Sequence, residues 1–280
     1  MAEIRTITSP QNEAYKQTAT YTHSKEAKKD NVVLVEGVRA VEEVLKARDW
    51  PIRSIWLAES LAKDAPGYLK QLQLKAPCQV NLITDEMMKR LSDTQTPQGI
   101  LTVVERKNRK VAQVLAEVRN AGKTPLFLIL ENLQDPGNVG TLLRTADAVD
   151  ADAVIVTKGT VDIYAPKVIR AAMGSLLHIP VCVVESVRPL AEALKQTGFS
   201  VLAAALQDSV YIYDVDMTKP TAILIGNEGS GLTREAMDSA TSCVKIPMPG
   251  QAESLNAAMA GGVILYEALR QREIMGVQGK

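Results

Sequence analysis

The sequence predicts an α/β protein, with a parallel sheet in its second part and a smaller alternating unit in its first. After residue 125, short and continuous apolar runs alternate with segments of helical periodicity. Continuous apolar strands are typical of a parallel sheet that helices cover on both faces. The chain has 280 residues, which is enough for two domains of ordinary size.

The first part begins with polar residues 1–30, and the predicted elements follow them. The predicted strands are 32–35, 52–57, 79–83 and 99–104, and the predicted helices are 38–47, 68–74 and 85–91. We expect residues 1–105 to form this smaller domain. The charged sequence ERKNRK and the polar helix after it indicate a linker over residues 106–122.

Residues 123–280 form the second predicted domain. Its apolar strands read LFLILEN, AVIVT, HIPVCVV, FSVLAAAL, AILIGNE and CVKIPM in chain order. Its helices are predicted at 139–149, 166–176, 189–196, 233–240 and 255–272.

Composition excludes several classes of function. The chain is 46% hydrophobic and 23% charged with a net charge of zero, so it has no overall signature of nucleic-acid binding, although its first part is slightly basic. The three cysteines stand far apart, so we expect neither a metal site nor a disulfide framework. No apolar run approaches membrane-spanning length. We therefore expect a cytoplasmic protein without a membrane anchor.

Polar side chains follow three of the apolar strands in the second domain. Asn138 and Arg144 lie in LQDPGNVGTLLR, Glu228 lies in ILIGNEGSGL, and Ser254 and Asn256 lie in PGQAESLN. Because the carboxyl ends of parallel strands meet at one edge of a sheet, these residues are expected to line a polar pocket.

Each loop also has an ordinary structural explanation. Asn138 and Ser254 are good helix N-caps, and Arg144 could be a solvated helix residue. ILIGNEGSGL looks at first like a phosphate-binding loop, since it joins a strand to a helix through glycines. Glu228 would repel a phosphate, however, and the spacing G-x-x-G-x-G matches neither a P-loop nor a dinucleotide fingerprint.

Together, three segments closely resemble the three motifs of the SpoU (TrmH-like) branch of the SPOUT RNA methyltransferases. They are ENLQDPGNVGTLLRTADA, ILIGNEGSGL and VKIPMPGQAESLNAAMAGGVILYEALR, in family order over residues 126–270. In the first part, LVEGVRAVEEVL and TPQGILTVVERK resemble a substrate-binding domain similar in fold to the ribosomal L30e/L7Ae proteins. The resemblance implies a homodimer, with a C-terminal SPOUT domain that contains a trefoil knot and an N-terminal L30e-like domain that binds RNA.

The resemblance also implies an activity and its residues. Family members transfer a methyl group from S-adenosylmethionine to a ribose 2′-hydroxyl of RNA. The implied cofactor site comprises Leu206, Gly226, Asn227, Gly229, Ile246, Met248, Ser254 and Leu255. The implied catalytic residues are Arg144, Asn138, Glu228, Ser254 and Asn256.

The role of Arg144 stays open between two chemistries. The family pattern has it as the general base, but neutral arginine is scarce in water. It could equally bind the target phosphate and stabilise the developing alkoxide.

The RNA substrate is expected to be 23S rRNA, because the attached N-terminal domain favours rRNA over tRNA. A tRNA 2′-O-methyltransferase is the alternative enzyme, and DNA is not an expected partner because the acceptor is a 2′-hydroxyl. A catalytically silent RNA-binding factor for ribosome assembly is the alternative of a different class. The sequence does not separate housekeeping methylation from methylation that confers antibiotic resistance.

Overall fold

The computed structural model describes residues 2–47 and 49–278. They divide into two compact units, with the boundary between Lys107 and Asn108. No helix in the described ranges has the length and apolarity that a bilayer crossing requires.

The first unit is a five-stranded mixed sheet with helices. Its strands are β1 (Ile4–Ile7), β2 (Val32–Glu36), β3 (Ile52–Ala58), β4 (Val80–Ile83) and β5 (Ile100–Glu105). Its helices are α1 (Glu13–Thr20), α2 (Ser24–Lys29), α3 (Val38–Lys46), α4 (Glu59–Asp64), α5 (Pro66–Lys75) and α6 (Asp85–Leu91). The strand order is β1-β4-β3-β5-β2, with β5 antiparallel to both β2 and β3.

The polar N-terminal segment contains β1, α1 and α2, which were not predicted. β1 is an edge strand in which only Ile7 is fully buried, so its sequence lacks an apolar run. Tyr15 of α1 packs edge-on against the buried Trp56, with ring centroids 6.0 Å apart. Its hydroxyl donates a hydrogen bond to Met87 O at 3.0 Å. Tyr15 thus attaches this polar segment to the core, together with the buried side chains of Ile7, Tyr21 and Ala27.

The second unit is a seven-stranded sheet with helices. Its strands are β6 (Leu126–Leu130), β7 (Ala153–Thr157), β8 (Val181–Val184), β9 (Ser200–Ala204), β10 (Ser209–Tyr211), β11 (Thr221–Ile225) and β12 (Ser242–Lys245). Its helices are α7 (Val111–Asn120), α8 (Pro136–Ala148), α9 (Pro166–Ala172), α10 (Val187–Gln196), α11 (Arg234–Ser239) and α12 (Ala257–Gln278).

Every strand pairing in the second unit is parallel, in the order β10-β12-β9-β11-β6-β7-β8. The predicted α/β class and parallel sheet are confirmed. Strands β6 and β11 are neighbours, and β12 is two strands from β11, so the loops that follow these strands lie at one edge. The sheet core includes Phe127 and Phe199, whose ring centroids are 5.0 Å apart.

Most predicted helices have bounds that differ by a few residues from the observed ones. The helix predicted at 166–176 ends at Ala172, because Met173 and Gly174 both adopt left-handed conformations with φ of 48° and 96°. The helix predicted from residue 255 begins at Ala257. The short strand β10 was not predicted, and it is an edge strand in which no residue is fully buried.

The segment predicted as a linker contributes to the second unit. Helix α7 places Val114 and Val118 in the core with Phe127, although most of its residues are exposed. The basic run before it is not a uniformly exposed surface either. Arg106 is only 8% exposed and donates from Nε to Val32 O at 2.7 Å, and Arg109 pairs with Glu117. The assignment of the two domains to RNA binding and catalysis stays a prediction.

Candidate active site

The glycine-rich loop after β11 closes tightly on itself. The backbone of Asn227 and Gly231 pairs through two hydrogen bonds of 3.0 and 2.9 Å. A Cβ added to Gly226 would lie 2.3 Å from the backbone carbon of Gly231 and 2.3 Å from the nitrogen of Leu232. Since real Cβ atoms do not approach backbone so closely, the loop in this form requires glycine at position 226.

The side chain of Asn227 fills this loop and fastens it to its neighbour. Its Oδ1 accepts hydrogen bonds from the backbone N–H groups of Gly229 at 2.9 Å and Ser230 at 3.1 Å. Its Nδ2 donates to Asn132 O at 2.8 Å, in the loop after β6. The amide therefore replaces backbone pairing that the tight turn cannot make, and it joins the ends of two adjacent strands.

Glu228 extends from the same loop to the start of α8. Its carboxylate accepts from Asn138 Nδ2 at 3.0 Å and from the backbone N–H groups of Asp135 at 3.1 Å and Gln134 at 3.2 Å. Burial by itself raises the pKa of Glu228, but these hydrogen bonds outweigh it and hold the pKa below its ordinary value. The group is thus an ionised acceptor at neutral pH.

Asn138, at the start of α8, connects the glycine-rich loop to the loop that precedes α12. Its Oδ1 accepts from Asn256 Nδ2 at 2.9 Å, while Asn256 Oδ1 accepts from the backbone N–H of Ala258 at 2.9 Å and so caps α12. Helix α8 is capped by Asp135, whose Oδ1 accepts from Asn138 N at 2.7 Å. The capping roles suggested for Asn138 and Ser254 therefore belong to Asp135 and Asn256, and the Asn138 amide is used between loops.

A cavity of about 460 Å³ lies beside this network, within the size range of small-molecule sites. All of the residues predicted to bind a cofactor line it: Leu206, Gly226, Asn227, Gly229, Ile246, Met248, Ser254 and Leu255. Further apolar walls come from Ile225, Leu232, Met237 and Ile264. The lining combines apolar side chains, loop backbone, one carboxylate, Glu228, and one ammonium group, Lys245. This donor set fits a ligand with a flat apolar ring and a cationic centre, as S-adenosylmethionine has.

The predicted catalytic residues fall into two places. Glu228 and Ser254 line the cavity, and Asn138 and Asn256 are hydrogen-bonded to Glu228 directly or through each other. Arg144 lies on the exposed face of α8, and its Nη1 donates a hydrogen bond to the Sδ atom of Met173 at 3.5 Å. The structure therefore joins three of the five in one hydrogen-bond network, places Ser254 at the cavity beside it, and leaves Arg144 outside the network.

Glu131 lies at the far end of the glycine-rich loop, and it was not among the predicted site residues. Glu131 is 6% exposed, and its carboxylate accepts from the backbone N–H and the hydroxyl of Thr233, both at 2.8 Å. Thr233 in turn caps α11. The sequence contained one signal for this role, because Glu131 is a charged residue that directly follows the apolar strand β6. A carboxylate that is buried at a strand end needs hydrogen-bond donors from the loops around it.

With this geometry established, comparisons with known proteins identify the family. Residues 125–266 match the model of the SpoU rRNA Methylase family. Residues 12–102 match the MRM3-like substrate binding domain. The chain belongs to the SpoU rRNA methylase family. The predicted family is thereby confirmed over both parts of the chain.

Similar SpoU proteins cover nearly the whole chain. A 23S rRNA (guanosine(2553)-2′-O)-methyltransferase, RlmP of Bacillus subtilis, is 32% identical over 94% of this chain and 98% of its own length. The 23S rRNA (guanosine-2′-O-)-methyltransferase RlmB of Pseudomonas syringae is 35% identical over 85% of this chain and 95% of its own. The crystal structure of AviRb from Streptomyces viridochromogenes with AdoMet covers 94% of this chain and 99% of its own, with 28% identity and a TM-score of 0.83.

Proposed function

We propose that this protein transfers a methyl group from S-adenosylmethionine to a ribose 2′-hydroxyl of 23S rRNA. The observation that carries the proposal is the single cavity that all of the predicted cofactor residues line, next to the network of Glu228, Asn138 and Asn256. The named activities of RlmP and RlmB and the AdoMet-bound structure of AviRb support it.

In this proposal the cavity residues hold the methyl donor, which supplies an electrophilic methyl group on a sulfonium. Leu206, Ile246 and Met248 exclude water from its apolar part. The tight turn at Gly226 brings backbone N–H and C=O groups to the cavity wall, where they read polar edges of the ligand. The ionised carboxylate of Glu228 favours a cationic centre nearby, and its hydrogen bonds keep it in place.

We assign Arg144 an electrostatic role. Its guanidinium is on the exposed face of α8, outside the hydrogen-bond network of Glu228, Asn138 and Asn256. A guanidinium binds a phosphate through paired N–H groups and stabilises negative charge that develops on a neighbouring oxygen. The exposed position is accessible to an RNA phosphate, and this favours phosphate binding over general-base catalysis.

We propose rRNA rather than tRNA as the substrate. RlmP, which matches 94% of this chain, and a 23S rRNA (uridine(2479)-2′-O)-methyltransferase of Streptomyces viridochromogenes, which matches 85%, carry 23S rRNA activities in their names. A tRNA-modifying TrmH/SpoU enzyme from A. aeolicus covers 60% of this chain with a TM-score of 0.50. The first unit, which matches a substrate binding domain, is then the part that contacts rRNA outside the methylation site. Exposed cations on its surface, such as Lys25, Lys28 and Arg39, suit this role.

We further propose that the protein is a homodimer. Helix α12 carries Met259 and Tyr266 at two turns' separation, and their side chains are 60% and 53% exposed. Large apolar side chains repeated on one face of a helix favour burial against a partner. A second copy of this chain is the proposed partner, and a light-scattering mass of one chain at micromolar concentration would contradict the dimer.

The trefoil knot and the cytoplasmic location are also proposals. Strand β12 lies between β10 and β9, both of which precede it in the chain, and α12 follows β12. In the family pattern, the knot is in this C-terminal region. Cytoplasmic location follows from a ribosomal RNA substrate.

A strain that lacks the gene provides the test of the function. Sites of 2′-O-methylation in its rRNA are mapped by their resistance to alkaline hydrolysis, and the proposal expects one 23S rRNA site to be lost. Loss of a site only in tRNA would overturn the choice of substrate. Calorimetric titration of the purified protein with S-adenosylmethionine separates an enzyme from a silent RNA-binding factor, for which no binding is expected.

A further inference from the structure

The turn that ends α9 places an exposed methionine against Arg144. Met173 has φ of 48° and ψ of 39°, a left-handed conformation that is sterically unfavourable for a residue with a Cβ. Its side chain is 62% exposed, so little burial offsets this conformation. Glycine or asparagine is the common residue at such a helix end. A methionine here calls for a role of its side chain.

Close packing of α8 and α9 explains how this side chain reaches Arg144. Gly140 of α8 is buried, and an added Cβ there would lie 2.3 Å from the Cβ of Ala171 and 2.9 Å from Val168 O. The absence of a side chain at position 140 therefore lets α9 approach. Arg144 follows one turn later on the same face of α8, and Met173 follows Ala171, so the two side chains meet.

The chemistry of the contact differs from that of three other arginines in this unit. Arg188, Arg234 and Arg270 each pair with a carboxylate of their own helix at 3.0, 3.0 and 2.7 Å. In the described part of the chain, Arg144 forms no such pair, and its Nη1 donates to the Met173 Sδ atom at 3.5 Å. A thioether is an uncharged and weak acceptor. It can orient a guanidinium without neutralising it.

We propose that Met173 is a positioning residue for Arg144, which holds the guanidinium in place and leaves its charge available to an RNA phosphate beside the methylated ribose. The inference rests on the proposed function, in which Arg144 acts on RNA. It assigns the left-handed turn at Met173 and Gly174 a purpose, since a continued α9 would direct the side chain at position 173 elsewhere.

The test compares two substitutions of equal length that differ in charge. Met173→Glu places a carboxylate where it can pair with Arg144, and it lowers kcat for methyl transfer to 23S rRNA by about 10²-fold. Met173→Gln keeps kcat within about threefold of the wild type. A merely structural role would impair both variants alike. Val183→Glu, which adds the same charge at an exposed position of the edge strand β8, is the matched control and stays near wild type.

Three further measurements keep the outcomes distinct. The dissociation constant for S-adenosylmethionine stays within about twofold in every variant, because Met173 does not line the cavity. Met173→Ala, which introduces no charge, lowers kcat by about tenfold. Affinity for 23S rRNA, measured by fluorescence anisotropy, falls about fivefold in Met173→Glu and not in Met173→Gln. Equal kcat and equal RNA affinity in the Glu, Gln and Ala variants would overturn the inference, whereas a wild-type protein that methylates no RNA would instead overturn the proposed function.

Discussion

Replacing Gly226 by alanine tests whether the glycine-rich loop builds the cofactor cavity. The new Cβ would lie 2.3 Å from backbone atoms of Gly231 and Leu232, where ordinary contacts begin at 3.4 Å, so the loop must move by about 1 Å. Backbone atoms cannot rotate away as a side chain can. Forced displacements of this kind cost about 1–3 kcal/mol. Because Gly226 and the displaced Gly231 both line the cavity, we expect affinity for S-adenosylmethionine to fall by at least about tenfold.

Gly250, in the loop before α12, provides the matched control. Its added Cβ would meet nothing within 4 Å, its φ is not positive, and it does not line the cavity. Gly250→Ala should therefore keep affinity within about threefold of the wild type. Calorimetric titration of both variants, with thermal unfolding to verify that they fold, measures the difference. Equal affinities in Gly226→Ala and the wild type would refute the steric account of this loop.

Three other predictions concern titration and stability. Hydrogen bonds hold the pKa of Glu228 below its ordinary 4.5, so the stability that they give the folded protein is complete above that pH and is lost as pH falls through the lowered pKa. The melting temperature of the wild type should therefore fall more steeply below pH 4.5 than that of Glu228→Gln. Parallel curves of melting temperature against pH would contradict this. Arg272 donates hydrogen bonds to four backbone carbonyls, those of Met217, Thr124, Pro125 and Lys219. Arg272→Met should therefore reduce the free energy of unfolding, measured in urea, by about 3 kcal/mol. A loss below about 1 kcal/mol would contradict this prediction. Burial raises the pKa of the Cys182 thiol to about 11, so it should react with a disulfide reagent at pH 8 only after unfolding, and rapid labelling of the native protein at Cys182 would be inconsistent with its burial.

The sequence was sufficient for the parallel sheet because short-range patterns specify its strands, whereas the cofactor residues came from the resemblance to the SpoU family. Continuous apolar runs identified the strands of the second unit, and the loops after them were expected at one edge. ILIGNEGSGL combined an apolar strand with glycines, and in the structure Gly226 allows close approach of backbone. The same reasoning missed β1 and β10, since edge strands that are partly exposed need no apolar run.

Arrangements that depend on packing between elements were not predictable. Asn138 was the expected cap of α8, and only the structure shows that Asp135 caps this helix and that the Asn138 amide donates to Glu228. The prediction of a helix over 166–176 passed through Met173, although Gly174 was a signal for an earlier end. The contact of Met173 with Arg144 depends on that turn and on the close approach of two helices, which no local pattern of either residue contains.

Methyl transfer in a purified system tests the central claim most directly. The protein is incubated with S-adenosylmethionine labelled in its methyl group and with a 23S rRNA transcript, and the RNA is digested to nucleosides for mass spectrometry. The account predicts label in one 2′-O-methylated nucleoside, from one position of the transcript, and none when Arg144 is replaced by alanine. Label on a base, undiminished transfer by Arg144→Ala, or label only when tRNA replaces the transcript would contradict it.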